Sequence, residues 1–376
     1  MPTVIADGGM QQPHLAYPVV ALGASAGGLQ ALKEILKNLN THTGMAFVIV
    51  THLAADQRSY LTEITSQFTD MPVKPLEEGQ RPEPNHLYVL LPNQIARLEG
   101  GLFKVQARSS DGKHPMVIDT FFRSLAADQK NHAIGVVLSG ADSDGASGLK
   151  AIKGEGGFAL VQTPETAQHS SMPRMSIAAD HVDMVVPPRE LAAELNRLGV
   201  QFRRPEVRLL EQADVPLTDE QSFSRVLQIV RSASGLDLRQ YKPDTIRRRI
   251  ARRMVLLRMD TLSEYLRFLQ LRADELKTLQ EDVLINVTRF FRDPAFWQAL
   301  SSEILPTFFR GRPTEKPIRV WCAGCSSGEE VYSLAITIIE YLIAHGLETT
   351  VQIFGTDISE RSIEMARNAV YPESLA

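Results

Sequence analysis

Val19-Val20-Ala21-Leu22-Gly23-Ala24-Ser25-Ala26-Gly27-Gly28-Leu29 is the stretch on which the fold turns. Residues 19–22 are an apolar run of strand length. Gly27-Gly28 breaks the run, and residues 29–39 then repeat apolar side chains at helical spacing. The alternation continues to about Phe202. Apolar runs lie at 46–50, 87–91, 133–138, 158–161 and 184–186, with helix-length patterns at 61–68 and 117–128 between them. Strands separated by helices predict an α/β fold with a parallel, doubly wound sheet. The segment from Leu87 to Phe103, broken by Gly100-Gly101, predicts a small hairpin beside it.

Beyond this region the composition changes. Residues 203–218 are polar, with Pro205 and Pro216, and predict a linker. From 219 to about 286 the pattern is helical: Phe223, Val226, Leu227 and Val230, then Leu262, Tyr265, Leu266 and Leu269, recur at i, i+3, i+4, i+7. A further helix is expected over 296–309, and a βαβα unit over 318–369. The expected division is a loose tail at 1–14, a first domain at 15–202, the linker, a helical domain at 219–292 and a second α/β domain at 293–376. Two or three domains also suit 376 residues at roughly 100–200 residues each.

Composition excludes several classes. Hydrophobic residues are 44% and charged residues 22%, a globular balance. The net charge of -4 excludes a uniformly basic nucleic-acid binder. Cys322 and Cys325 are the two cysteines, too few for a disulfide framework. No apolar run approaches the roughly 18–20 residues of a membrane span, and no basic segment leads an apolar one at the N-terminus. These features predict a soluble, cytoplasmic protein without membrane insertion.

Chemistry enters at the end of the first strand. Gly23-Ala24-Ser25-Ala26-Gly27 fits a nucleophile elbow, in which small neighbours allow a sharp turn and expose the serine hydroxyl at the carboxyl edge of the sheet. The helix N-terminus that follows can donate N–H groups to an oxyanion. A phosphate-binding glycine loop is the competing reading, weakened by the absence of both G-x-G-x-x-G spacing and a P-loop lysine. A serine needs a base and the base an orienting carboxylate. His52 directly follows the second run, and Asp144 follows the run at 133–138, so both belong to the same edge. Asp142 competes with Asp144 for the third role.

These segments resemble the catalytic domain of the chemotaxis methylesterases, the CheB family. The resemblance is carried by residues 20–28, Thr51-His52-Leu53, Pro84-Asn85-His86-Leu87-Tyr88-Val89, His114-Pro115, Ser139-Gly140 with Asp144-Gly145-Ala146, and Met172-Pro173. It covers about residues 17–200. It implies Ser25 as nucleophile, His52 as base and Asp144 as orienter in hydrolysis of glutamyl methyl esters on chemoreceptors, with glutamine deamidation by the same chemistry and no cofactor. Ala141 and Asp142 stand where that family usually has methionine and glycine. About sixteen residues precede the first strand, too few for the family's phospho-receiver domain, which implies no control by phosphorylation in cis.

A second constellation starts at 239–258, where Arg239, Lys242, Arg247, Arg248, Arg249, Arg252, Arg253 and Arg258 face Asp244 alone. Like charges at i, i+4 repel and call for an acidic partner. No aromatic side chains interleave with them, which argues against nucleic acid. Downstream, small residues after one strand (Cys322-Ala323-Gly324-Cys325-Ser326-Ser327-Gly328) and an acid after the next (Asp357) predict a Rossmann-like cofactor turn. The cysteines fit packing in that turn better than a redox or zinc pair.

This half resembles the chemotaxis receptor methyltransferases, the CheR family, over about 219–376. Tyr241-Lys242, the arginines 247–253, Asn286-Val287-Thr288, Phe290-Phe291-Arg292-Asp293, Gly328-Glu329-Glu330 and Thr356-Asp357-Ile358-Ser359 carry the resemblance. It implies S-adenosylmethionine held by Asn286, Thr288, Arg292, Glu329 and Asp357. It also implies receptor docking through Arg248, Arg249, Arg252 and Arg253. The sequence ends after one strand pair of a domain that needs two halves, so inefficient methylation is expected. The whole is a methylesterase–methyltransferase fusion; a non-catalytic receptor-binding scaffold is the alternative.

Overall fold

The computed structural model describes residues 15–51, 60–108, 116–179, 182–203, 217–284, 288–312 and 317–371. The expected tail at 1–14 and most of the expected linker lie outside the described residues. The chain forms two compact units, Met1–Ile285 and Asn286–Ala376.

The first unit begins β1 (Val19–Ala24), α1 (Gly28–Asn38), β2 (Ala46–Thr51), α2 (Leu61–Ser66), β3 (Val73–Pro75) and β4 (Leu87–Val89). The hairpin β5 (Gln94–Glu99) and β6 (Leu102–Ala107) follows, then α3 (Val117–Gln129), β7 (Ala133–Val137) and α4 (Ala146–Gly154). Next come β8 (Phe158–Gln162), α5 (Ser171–Ala178), β9 (Met184–Val186) and α6 (Pro188–Gln201). All six residues of β1 are buried, as are those of β2 and the five of β7. Strands apolar on both faces need helices on both sides, the condition of a parallel sheet.

The sheet has seven parallel strands in the order β3-β4-β2-β1-β7-β8-β9. Side chains alternate between two cores. Val19 and Ala21 pack with Val117, Phe121 and Leu149 on one face, and Val20 and Leu22 with Leu32, Ile35 and Leu195 on the other. From β1 the chain moves to one side through β2 and later returns to the other through β7. The two halves therefore diverge at the carboxyl ends of β1 and β7, where open α/β sheets place their sites. Three-residue β3 was not among the expected strands, because an edge strand containing Lys74 and Pro75 carries no apolar periodicity.

Among the described residues, four α-helices follow in this unit: α7 (Leu217–Ser234), α8 (Pro243–Leu257), α9 (Leu262–Leu271) and α10 (Ala273–Val283). Val226, Val230, Tyr265, Leu269 and Leu279 fill their shared core, and Thr261 with Glu264 forms a capping box on α9. The basic stretch lies largely on α8, and its charge is not displayed as expected. Arg249 and Arg252 are buried. Arg252 forms an ion pair with Asp183, ahead of β9, and donates to Asp282 of α10 at 2.6 Å and to the Gly157 carbonyl, ahead of β8, at 3.0 Å. Arg249 donates to the carbonyls of Lys153, at 2.7 Å, and Gly154. Arg253 grips Glu275 with two bonds of 2.9 and 2.6 Å. The acidic partner that the charge pattern asks for is this chain's own surface. The contact lies at the amino-terminal edge of the sheet, opposite the ends of β1 and β7.

The second unit contains α11 (Pro294–Ala299), a π turn at Leu300–Ile304, α12 (Leu305–Phe309), β10 (Ile318–Ala323), α13 (Glu329–Ala344), β11 (Val351–Thr356) and α14 (Glu360–Asn368). The helix expected over 296–309 is present but loosened. Pro306 cannot donate in an α-helical ladder, and the Leu305 N–H bonds back five residues to Leu300. β10 and β11 pair in parallel. No helix among the described residues is long and apolar enough to cross a membrane.

Candidate active site

Ser25 is the first residue beyond β1 and is half-exposed, while the strand before it is buried. Its N–H donates to the Ser139 carbonyl at 2.9 Å, which ties the turn to the loop after β7. The expectation that this helix N-terminus offers free donors therefore does not extend to the Ser25 N–H. The N–H of Ala26 has no hydrogen-bond partner among the described residues. Gly27 has φ 73, and a Cβ there would meet Gln168 at 2.6 Å and the Ser139 Oγ at 2.9 Å, so only glycine serves. Gly140 is equally constrained. A Cβ on it would lie 1.8 Å from the Met172 Sδ and 3.0 Å from the Ser25 Cβ.

Ser139 links these pieces. Its Oγ donates to the Ala26 carbonyl at 2.8 Å and accepts from the His169 N–H at 2.9 Å, while its own N–H donates to Gln162 Oε1 at 2.9 Å. The motifs that carry Ser25, Ser139-Gly140 and Met172 thus meet at one place. No role for Ser139 follows from sequence, because its hydroxyl is held by backbone groups of distant loops.

His52 lies outside the described residues; it follows Thr51, the register partner of Ala24. Asp144 and Asp142 are separated by burial. Asp144 is buried, and its carboxylate accepts the N–H groups of Ile118 at 2.9 Å and Asp119 at 2.8 Å. Asp142 is exposed and accepts the Asp144 N–H at 3.0 Å. Burial, then the charge of Asp119, raises the Asp144 carboxyl to about 7, against the pull of those two N–H groups.

In the second unit, small residues after β10 and the acid after β11 also come together. Asp357 accepts from the Ser326 N–H and the Ser359 N–H, both at 2.8 Å. Glu329, in the first turn of α13, is buried and accepts from the Ser327 Oγ at 2.7 Å. A Cβ built on Gly324 meets nothing within 4 Å, so the turn has open space before it that a ligand can approach. Thr288 is half-buried and Arg292 exposed, and this segment is held to α13 by the Phe291 N–H donating to the Ser333 Oγ at 3.0 Å. Asn286 lies outside the described residues. Cys322 and Cys325 are buried, and burial pushes the Cys322 thiol up to about 12. Cys325 packs against Gly355. Two acids and an open small-residue turn suit a cationic nucleoside such as S-adenosylmethionine.

The profile of the family described as CheB methylesterase matches residues 20–195. A putative protein-glutamate methylesterase/protein-glutamine glutaminase of Leptospira interrogans is 36% identical over 185 residues, which span 48% of this chain and 95% of that protein. The chain belongs to the CheB methylesterase family. A protein-glutamate methylesterase/protein-glutamine glutaminase of Pectobacterium atrosepticum is 31% identical over 172 residues, 45% of this chain and 49% of that protein.

This CheB-family chain also carries CheR domains. Residues 221–284 match the all-alpha domain of CheR methyltransferases, and 286–376 match their SAM-binding domain. An uncharacterized 104.1 kDa protein of Rhodobacter capsulatus is 30% identical over 341 residues, 84% of this chain, a span that takes in both kinds of domain. The chain spans about a third of that relative's length, 35%.

Proposed function

We propose that this chain modifies chemoreceptors, hydrolysing glutamyl methyl esters and deamidating glutamines through Ser25, His52 and Asp144. One observation carries the reading: the three residues follow β1, β2 and β7, which lie side by side in the sheet and end at the same edge. In the proposed reaction the Ser25 Oγ attacks the ester carbonyl while His52 accepts its proton. Buried Asp144 holds the imidazole and stabilises its charge. The Ala26 N–H is available to the oxyanion. Collapse of the tetrahedral intermediate returns the proton to the leaving oxygen and releases methanol. Water then hydrolyses the acyl-Ser25 ester, which regenerates the serine and leaves a glutamate.

The CheR half is read as binding S-adenosylmethionine through Glu329, Asp357, Thr288 and Arg292, together with Asn286. The cofactor supplies an electrophilic methyl group. A receptor carboxylate is already ionised, so the chain's own contribution is to hold the two partners in line rather than to move a proton. Receptors are the proposed partners and the cytoplasm the proposed location. Arg249 and Arg252 are committed to internal contacts, so receptor docking is assigned to surface other than these two.

Covalent trapping tests the esterase reading. A serine-directed phosphonate should add one label to the full chain, at Ser25, and none to the Ser25→Ala variant. Labelling at another serine, or equal labelling of both proteins, would refute it.

A further inference from the structure

We propose that Asp119, which has no assigned part in the reaction, is a positioning residue for Asp144: the two carboxylates cap each other's helices. The inference rests on the triad reading above.

Helix α3 begins after Met116 and α4 after Gly145, and neither residue supplies a capping side chain. The first-turn N–H groups of a helix need acceptors. At α3 the acceptor is Asp144, which takes the Ile118 and Asp119 N–H groups, one on each carboxylate oxygen. At α4 it is Asp119, whose Oδ1 takes the Gly145 N–H at 3.0 Å and the Gly148 N–H at 2.6 Å. Each acid thus stands on the backbone next to the donors that hold the other. Asp144 cannot shift without releasing α3, and Asp119 fixes the Gly145 turn on which Asp144 is mounted.

The second oxygen of Asp119 has no hydrogen-bond partner among the described residues, and Arg123 lies 3.8 Å from it. A side chain kept for capping alone has no need of that buried second oxygen or its charge. The charge of Asp119 also acts on Asp144, adding to burial in raising its carboxyl. Asp119 faces Asp144 from α3, Asp142 from its own loop and Arg108 from the end of β6, while Arg123 faces Asp119.

The test uses the full chain and a methylated receptor, with methanol release followed across pH 5–9. Asp119→Asn keeps an oxygen for Gly145 and Gly148 but removes the charge. It should shift the acid limb of kcat/KM to lower pH, because Asp144 then ionises more easily. Asp119→Ala removes the cap as well and should lower kcat by about tenfold or more with little change in KM, as expected for a displaced catalytic group. An acid limb for Asp119→Asn that superimposes on the wild-type curve overturns the proposal, even where Asp119→Ala fails to fold. So does wild-type kcat in a folded Asp119→Ala. The Ser25→Ala control separates the two failures: hydrolysis by that variant sinks the triad reading and this inference with it. An inactive Ser25→Ala beside an unmoved Asp119→Asn profile sinks the inference alone.

Discussion

Arg252 on α8 and Asp183 ahead of β9 form an ion pair whose two side chains are each only 2% exposed, joining the helical module to the esterase sheet. Lys153 at 3.5 Å from Asp183 and Asp282 at 2.6 Å from Arg252 complete the buried network. Removing one member leaves an unpaired buried charge, which costs about 3–5 kcal/mol. Arg252→Ala should therefore split the unfolding of the first unit into two calorimetric transitions, or lower its single transition markedly. An unchanged thermogram would show that the network does not join the two parts.

The pair also has a pH signature. Burial alone would raise the Asp183 carboxyl, but Arg252 and Lys153 outweigh it and hold the group below the usual carboxylate range. An acid with a lowered folded pKa stabilises the fold at neutral pH, and the contribution is lost as pH falls through that value. Acid titration should therefore loosen the contact between the helices and the sheet below the ordinary carboxylate range, as followed by hydrogen exchange at α8.

Asp144 has the opposite sign. Its carboxyl is raised to about 7 by burial and by Asp119, so its contribution to stability is complete below the ordinary carboxylate pKa and lost as pH rises through about 7. Activity needs the ionised form. Esterase kcat/KM should rise with pH through about 7, and Asp144→Asn should cut kcat by about 10³–10⁴-fold, as loss of a triad acid does elsewhere. A flat profile between pH 5 and 8 would contradict this assignment.

Gly140 gives a steric test. A methyl group there would overlap the Met172 Sδ and press on the Ser25 Cβ. Gly140→Ala should cost about 1–3 kcal/mol of stability through overpacking and lower kcat more than it changes KM. Wild-type kcat in this variant would mean that the Ser25 turn tolerates displacement.

The parts of this fold legible in the sequence are those with local causes. β1, β2 and β7 show as unbroken apolar runs because both of their faces are buried, and the positions following them then share an edge by topology alone. What local pattern does not encode is which distant group completes an interaction. The spacing of Arg248 and Arg252 signals repulsion in need of an acid, yet Arg252 meets Asp183 and Asp282 only when α8 packs against the sheet and α10. Asp119 looks like one polar position in an amphipathic helix, and its role at Gly145 and Gly148 exists only in three dimensions. Spacing alone leaves Asp142 and Asp144 both open and the resemblance names Asp144; that Asp144 is the buried one of the two is not legible from two acids in the same loop.

The second unit has its own test. Asp357 arranges the cofactor turn through the Ser326 and Ser359 N–H groups. Loss of a charged hydrogen-bonding group of this kind costs about 1.5–3 kcal/mol, roughly 10–100-fold in affinity. Calorimetry should show heat on addition of S-adenosylmethionine to the full chain and a correspondingly weaker isotherm for Asp357→Ala. Equal binding by the two proteins would remove Asp357 from the site.

Methanol release from a methylated chemoreceptor tests most directly whether Ser25 is the nucleophile of a receptor methylesterase. The wild-type chain should release methanol, and Ser25→Ala should release it at least about 10³-fold more slowly. Release by Ser25→Ala at the wild-type rate would contradict the account.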